Sequence, residues 1–136
     1  MKTDLTRLAT WTEDDNLRVV VESPRGCSAK LRYNPELDVF EYGRSLPLGL
    51  AYPYCWGFLP GTVGDDGDPL DVFLITDAQA FPGIVIASRL IGVVQVEQTF
   101  VSATFFTEKD PSVLGWKGPK EALKLVRKGM RDAKSG

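Results

Sequence analysis

YPYCWGFLPGTVGDDGDPLDVFLIT, residues 52–76, places Asp65, Asp66, Asp68 and Asp71 within seven positions, directly ahead of an apolar run. Gly61, Gly64 and Gly67, with Pro60 and Pro69, predict a tight irregular loop over 60–69 that delivers Asp71 to the start of a strand. Two carboxylates about 4 Å apart repel by about 4 kcal/mol at an effective dielectric of about 20. Such a cluster must splay into water, share a proton or hold a cation. A hydrated Asp-Gly turn is the ordinary outcome for a segment of this kind taken alone. The alternative is a hard divalent ion, since Mg²⁺ takes one or two carboxylates, keeps several waters and completes its shell on substrate phosphates. A calcium loop of the EF-hand type does not fit. Counting from Asp66, its sixth position is Asp71 instead of glycine and its twelfth is Asp77 instead of Glu; counting from Asp65, those positions are Leu70 and Thr76.

Around this loop the chain is β-rich. Residues 17–23, 29–33, 38–43, 70–75, 83–97 and 100–107 are dense in Val, Ile, Phe and Tyr and are separated by turn residues, which predicts a small barrel or curled sheet. A helix is expected only near the end, over 118–134, where Pro119 suits the first turn and Leu123, Val126 and Met130 recur at three- and four-residue spacing. Seven of the 16 basic residues fall in 117–134. They read as the solvated face of that helix more readily than as a phosphate-binding surface.

Composition narrows the function. With 136 residues, 43% hydrophobic and 25% charged, the chain suits one domain over 1–136 with a substantial core. A net charge of −2 gives no reason to expect nucleic acid or an anionic membrane as a partner, and no apolar run approaches a membrane span or a secretory signal. The expectation is a cytoplasmic protein. Cys27 and Cys55 form neither a disulfide framework nor a zinc spacing. The chain has no histidine, which removes the commonest general base and leaves carboxylates, Lys, Tyr, thiol or activated water to do any chemistry.

The segment DDGDPLDV (65–72), with YPYCWGFLPGT (52–62) before it, closely resembles the signature of the soluble family I inorganic pyrophosphatases. The similarity runs over roughly 17–97. VVVESP (19–24) is similar to the family's strand bearing an acidic residue, AKLRY (29–33) to its Lys-bearing strand and FEYGR (40–44) to its Arg-bearing segment; GWKGPKEALK (115–124) resembles its terminal helix. The resemblance implies a mainly β, α+β fold, an OB-like five-stranded barrel with a C-terminal helix. It implies metal-dependent hydrolysis of inorganic pyrophosphate to two phosphates by a metal-activated water, with Mg²⁺ as cofactor and Mn²⁺ as a substitute. Position by position, Asp66 and Asp71 would ligate metal, Asp68 would orient and deprotonate the attacking water, and Lys30, Arg44 and Tyr52 would hold phosphate oxygens. Glu22 would be an outer metal or water ligand. Homo-oligomers are common in that family, although nothing in this sequence marks an interface.

Taken singly, Glu22 could end an exposed strand, Lys30 and Arg44 could be solvated, and Tyr52 could be core. Their joint spacing favours the site. The chain also departs from the family's pattern. Lys30-Leu31-Arg32 replaces Lys-x-Glu, so a cation stands where a carboxylate is usual, and Trp56 replaces a second tyrosine. A further pair of metal-binding aspartates and a lysine, expected after 92–97, has Glu97 alone as its nearest counterpart, and TEKDPSVLGWKG (107–118) is too short for a Tyr-Lys phosphate contact. A shortened pyrophosphatase is the favoured expectation. A different small phosphohydrolase, or a catalytically weakened relative that binds phosphate or pyrophosphate and Mg²⁺, are the alternatives.

Overall fold

β1 (Leu17–Ser23) lies inside a sheet, between β6 (Val85–Ser88) and β4 (Cys55–Phe58). Because successive side chains alternate in a strand, Leu17, Val19 and Val21 enter one core cluster with Leu59, Val72, Leu74 and Val126, while Val20 enters a second with Tyr33 and Phe58. Burial on both faces is why this strand reads as a continuous apolar run. The structure is a computed structural model and describes residues 3–96, 100–103 and 113–135.

The sheet order is β6-β1-β4-β5-β8-β7-β9, with β5 (Asp71–Leu74), β7 (Gly92–Val96), β8 (Phe100–Ala103) and β9 (Val113–Lys117) completing it. Its pairings are antiparallel except β5 with β8. β2 (Ala29–Asn34) and β3 (Val39–Ser45) form a separate antiparallel pair. The expected mainly β fold with a C-terminal helix is borne out. Its strands outnumber the five expected, and among the described residues the hydrogen-bonded ladder does not close on itself.

Two strands escape the sequence pattern. β4 is only four residues long and carries Gly57, which reads as a breaker; here a Cβ at 57 would collide with the Val20 carbonyl oxygen, so glycine is what lets β4 approach β1. The other is β9, in VLGWK. The apolar run 83–97 divides into β6 and β7 with a break at 89–91, and β8 ends at Ala103, the rest of that run lying outside the described residues.

α1 (Pro119–Ser135) lays Ala122 and Val126 on the core, with Met130 partly buried against it. Gly129 brings the helix onto the aspartate loop: its carbonyl accepts the Val63 N–H at 2.9 Å, and a Cβ there would stand 2.9 Å from Leu70 Cδ1 and 3.2 Å from Thr62 Cβ. The helix and β5 thus hold the loop from two sides.

Candidate active site

Thr62 anchors the loop. Its buried hydroxyl donates to the Leu59 carbonyl (2.7 Å) and accepts the Leu70 N–H (3.0 Å), while Leu59 N–H bonds Leu70 O (2.9 Å). Within the loop, Gly64 N–H donates to Asp68 O (2.7 Å) and Gly67 N–H to Gly64 O (3.0 Å), with Gly67 at φ +87°, the left-handed region glycine enters without strain. Asp68 N–H donates to Asp66 Oδ1 (3.0 Å), an Asx turn that ties the Asp66 carboxylate to the loop backbone. Asp71 then opens β5 opposite Phe58, as the loop reading expected.

The four aspartates divide. Asp65 faces α1, where its Oδ1 lies 3.4 Å from Lys128 Nζ, itself 2.8 Å from Asp132 Oδ2. The other three turn into a cavity of about 270 Å³ together with Glu22, Lys30, Arg32 and Trp56. Asp66 and Asp71 also line a second space of about 500 Å³ between the loop and α1.

Bulges aim two of these groups. β1 pairs Val21 with Gly57 and Ser23 with Trp56, leaving Glu22 as the extra residue; β2 pairs Lys30 with Arg44 and Leu31 with Tyr42, leaving Gly43 extra. A Cβ at Gly43 would stand 2.8 Å from the Lys30 carbonyl. Glu22 Oε2 accepts the Tyr33 N–H at 2.8 Å, which holds its side chain toward the β2–β3 pair.

Burial dominates the electrostatics. Desolvation pushes the Glu22 carboxyl up to about 7, with Asp71 adding to the effect, while the Tyr33 N–H, Arg32 and Lys30 oppose it. Asp71 is pushed up to about 6, first by burial and then by Asp66, with Lys30 opposing and Asp68 adding. Burial also raises the Tyr52 hydroxyl, against Ser23 and Arg44 nearby. Tyr52 and Arg44 are not in the cavity lining: Arg44 is the cross-strand partner of Lys30, and the Tyr52 ring lies 6.3 Å from that of Trp56. Of the expected site residues, the structure gathers Asp66, Asp68, Asp71, Glu22 and Lys30 in one cavity, while Arg44 and Tyr52 lie outside its lining. Glu97 lies outside the described residues.

Among the described residues no three His, Cys, Asp or Glu side chains converge as a ready ligand set. A hard divalent ion that keeps its waters needs only one or two carboxylates, and Glu22 and Asp71, both raised by burial and facing a polar cavity, are groups whose ionised form such an ion would favour. The donor set, oxygen only, fits Mg²⁺ chemistry. Arg32 and Trp56 stood out in the sequence only as departures, yet both line the cavity. Period-two spacing from Lys30 is the signal that could have placed Arg32 there.

A mainly β domain that sets a carboxylate loop against a basic strand pair is the architecture defined by this fold and site. The inorganic pyrophosphatase family model matches residues 19–104, and the chain belongs to that family. The inorganic pyrophosphatase of Synechocystis sp. is 38% identical over 93 residues, 68% of this chain and 55% of the relative. That of Saccharolobus solfataricus is 33% identical over 118 residues, 83% and 69% of the two chains. This chain spans about half the length of several curated relatives it matches. The crystal structure of the inorganic pyrophosphatase from Thermus thermophilus superposes with a TM-score of 0.83 at 24% identity, covering 97% of this chain and 99% of that one. The likeness shows the fold, mainly β and OB-like with a C-terminal helix. The family is metal-dependent.

Proposed function

We propose that this chain hydrolyses inorganic pyrophosphate to two phosphates, with Mg²⁺ as cofactor and Mn²⁺ as a substitute. The observation that carries this reading is the single cavity lined by Glu22, Asp66, Asp68 and Asp71 together with Lys30. Cleaving a phosphoanhydride asks for positioning and charge neutralisation more than for covalent work by the protein. A bound divalent ion supplies charge neutralisation and a more acidic water. Asp66 and Asp71 would hold the ion, with Glu22 as an outer ligand and Glu97 as a further one. Lys30 gives a point charge and Arg44 a planar fork to phosphate oxygens, and the Tyr52 hydroxyl donates beside them. Asp68, an exposed carboxylate in the cavity lining, takes the proton of the attacking water on a carboxylate oxygen.

One domain over 1–136 in the cytoplasm, assembling as a homo-oligomer, completes the proposal. Free thiols at Cys27 and Cys55 agree with a reducing compartment, and among the described residues no helix is long and apolar enough to cross a membrane. Among the described residues no three carboxylates, although four line the cavity, lie close enough together to form a ready ligand set, which favours a second reading, a weakened relative that binds pyrophosphate and Mg²⁺ without turnover.

Phosphate release from pyrophosphate separates the two. The hydrolase should show a rate that rises with Mg²⁺ into the millimolar range, and Asp68→Asn should lower it about a hundredfold or more while a non-hydrolysable analogue still binds. A wild-type rate equal to a metal-only blank across metals and pH would overturn hydrolysis in favour of the binder.

A further inference from the structure

Arg32 stands two residues after Lys30 on β2 and lines the same cavity as the carboxylates. Its stem runs past Gly43, where a Cβ would stand in ordinary contact with Arg32 Cδ at 3.4 Å and Cγ at 3.6 Å. The cross-strand neighbour of Arg32 is Glu41, the obvious ion-pair partner. Glu41 instead accepts from Asn34 Nδ2 at 2.7 Å, and among the described residues neither Arg32 nor Lys30 forms a salt bridge. Two cations without ion pairs therefore border a cavity that also holds four carboxylates.

We propose that Arg32 is a phosphate-binding residue, sharing one phosphate of the substrate with Lys30 and supplying by a fixed guanidinium part of the charge neutralisation that a metal ion would otherwise provide. The inference rests on the proposed pyrophosphate hydrolysis and adds a residue to it. A guanidinium presents donors in a planar fork matched to phosphate oxygens, is charged at every working pH, and loses water more readily than an ammonium. Arg32 is exposed at the cavity mouth, so it meets an entering anion before the deeper Glu22 and Asp71 do. A cation here eases the entry of a polyanion into an acidic cavity, and a site that contains it needs less metal to bind substrate.

The test is calorimetric titration of methylenediphosphonate, a non-hydrolysable pyrophosphate analogue, into wild type, Arg32→Ala, Arg32→Gln, Arg32→Lys and Arg127→Ala, with and without Mg²⁺. Arg127 lies on the exposed side of α1 and does not line the cavity. Arg32→Ala and Arg32→Gln should each weaken binding roughly 10- to 100-fold, the range for losing a charge-assisted hydrogen bond. The loss should be largest without metal, and affinity should climb more steeply with Mg²⁺ than in wild type. Arg32→Lys should recover part of the affinity, and Arg127→Ala should bind as wild type. Equal affinity of wild type, Arg32→Ala and Arg32→Gln, with wild type still releasing phosphate from pyrophosphate, would sink the role of Arg32 and leave the hydrolase standing. An equal loss in Arg127→Ala would also overturn it, as an effect of overall charge. If wild type neither binds the analogue nor releases phosphate, the reading of the site falls and Arg32 with it.

Discussion

Glu22 and Asp71 carry the clearest residue-scale consequence. Burial raises Glu22 from 4.5 to about 7 and Asp71 from 3.8 to about 6, so the folded protein keeps protons that the unfolded chain has already released. Their contribution to stability is fully present below the ordinary carboxyl values and is lost as pH rises through about 6 to 7. Metal-free protein should therefore weaken between about pH 4 and 7, by at most about 3 kcal/mol from Glu22. Glu22→Gln, whose amide oxygen can still accept the Tyr33 N–H, should flatten that slope. Denaturant unfolding at a series of pH values with a chelator present checks it; parallel profiles for wild type and variant would remove Glu22 from the account. The aspartates' proximity was legible from DDGDPLD, because a loop held by glycine and proline cannot separate them far. Their division was not, since Asp65 departs toward Lys128, 63 positions away.

At the scale of elements, two glycines hold the site together by absence of a side chain. Gly129→Ala improves intrinsic helix propensity by about 1 kcal/mol, but the added methyl meets Leu70 and Thr62, where overpacking costs about 1–3 kcal/mol. We expect a net loss of up to about 2 kcal/mol, measured as a lower denaturant midpoint with an unchanged slope. A gain in stability would show that helix and loop separate easily. Gly57→Ala should be worse, at or beyond the top of the same range of about 1–3 kcal/mol, because the obstacle is the Val20 carbonyl, backbone that cannot rotate away. A Gly57→Ala protein melting within a degree of wild type would contradict this packing. No strand was expected over 55–58, yet Gly57 is where β4 lies closest to β1, and only the neighbouring strand reveals it.

For the whole molecule, a divalent ion that binds the native cavity and not the unfolded chain should raise the melting temperature by several degrees at saturating Mg²⁺, since a ligand at about 100 times its Kd adds about 2.7 kcal/mol. Asp66→Ala/Asp71→Ala should abolish that rise, and an equal rise in the variant would place the ion elsewhere. The mainly β class, the C-terminal helix and the tight loop delivering Asp71 to a strand were determined by the sequence itself, because alternation, three-to-four periodicity and turn chemistry are local constraints written within a few residues of one another. The roles proposed for Asp66, Asp68, Lys30 and Arg44 came with the family resemblance. Tertiary structure alone decided that Glu22 is the extra residue of a bulge, that Arg32 and Trp56 line the cavity, and that α1 grips the loop through Gly129 and Lys128. Each of these depends on which strand or helix lies alongside, a pairing between residues distant in the chain that no local pattern encodes.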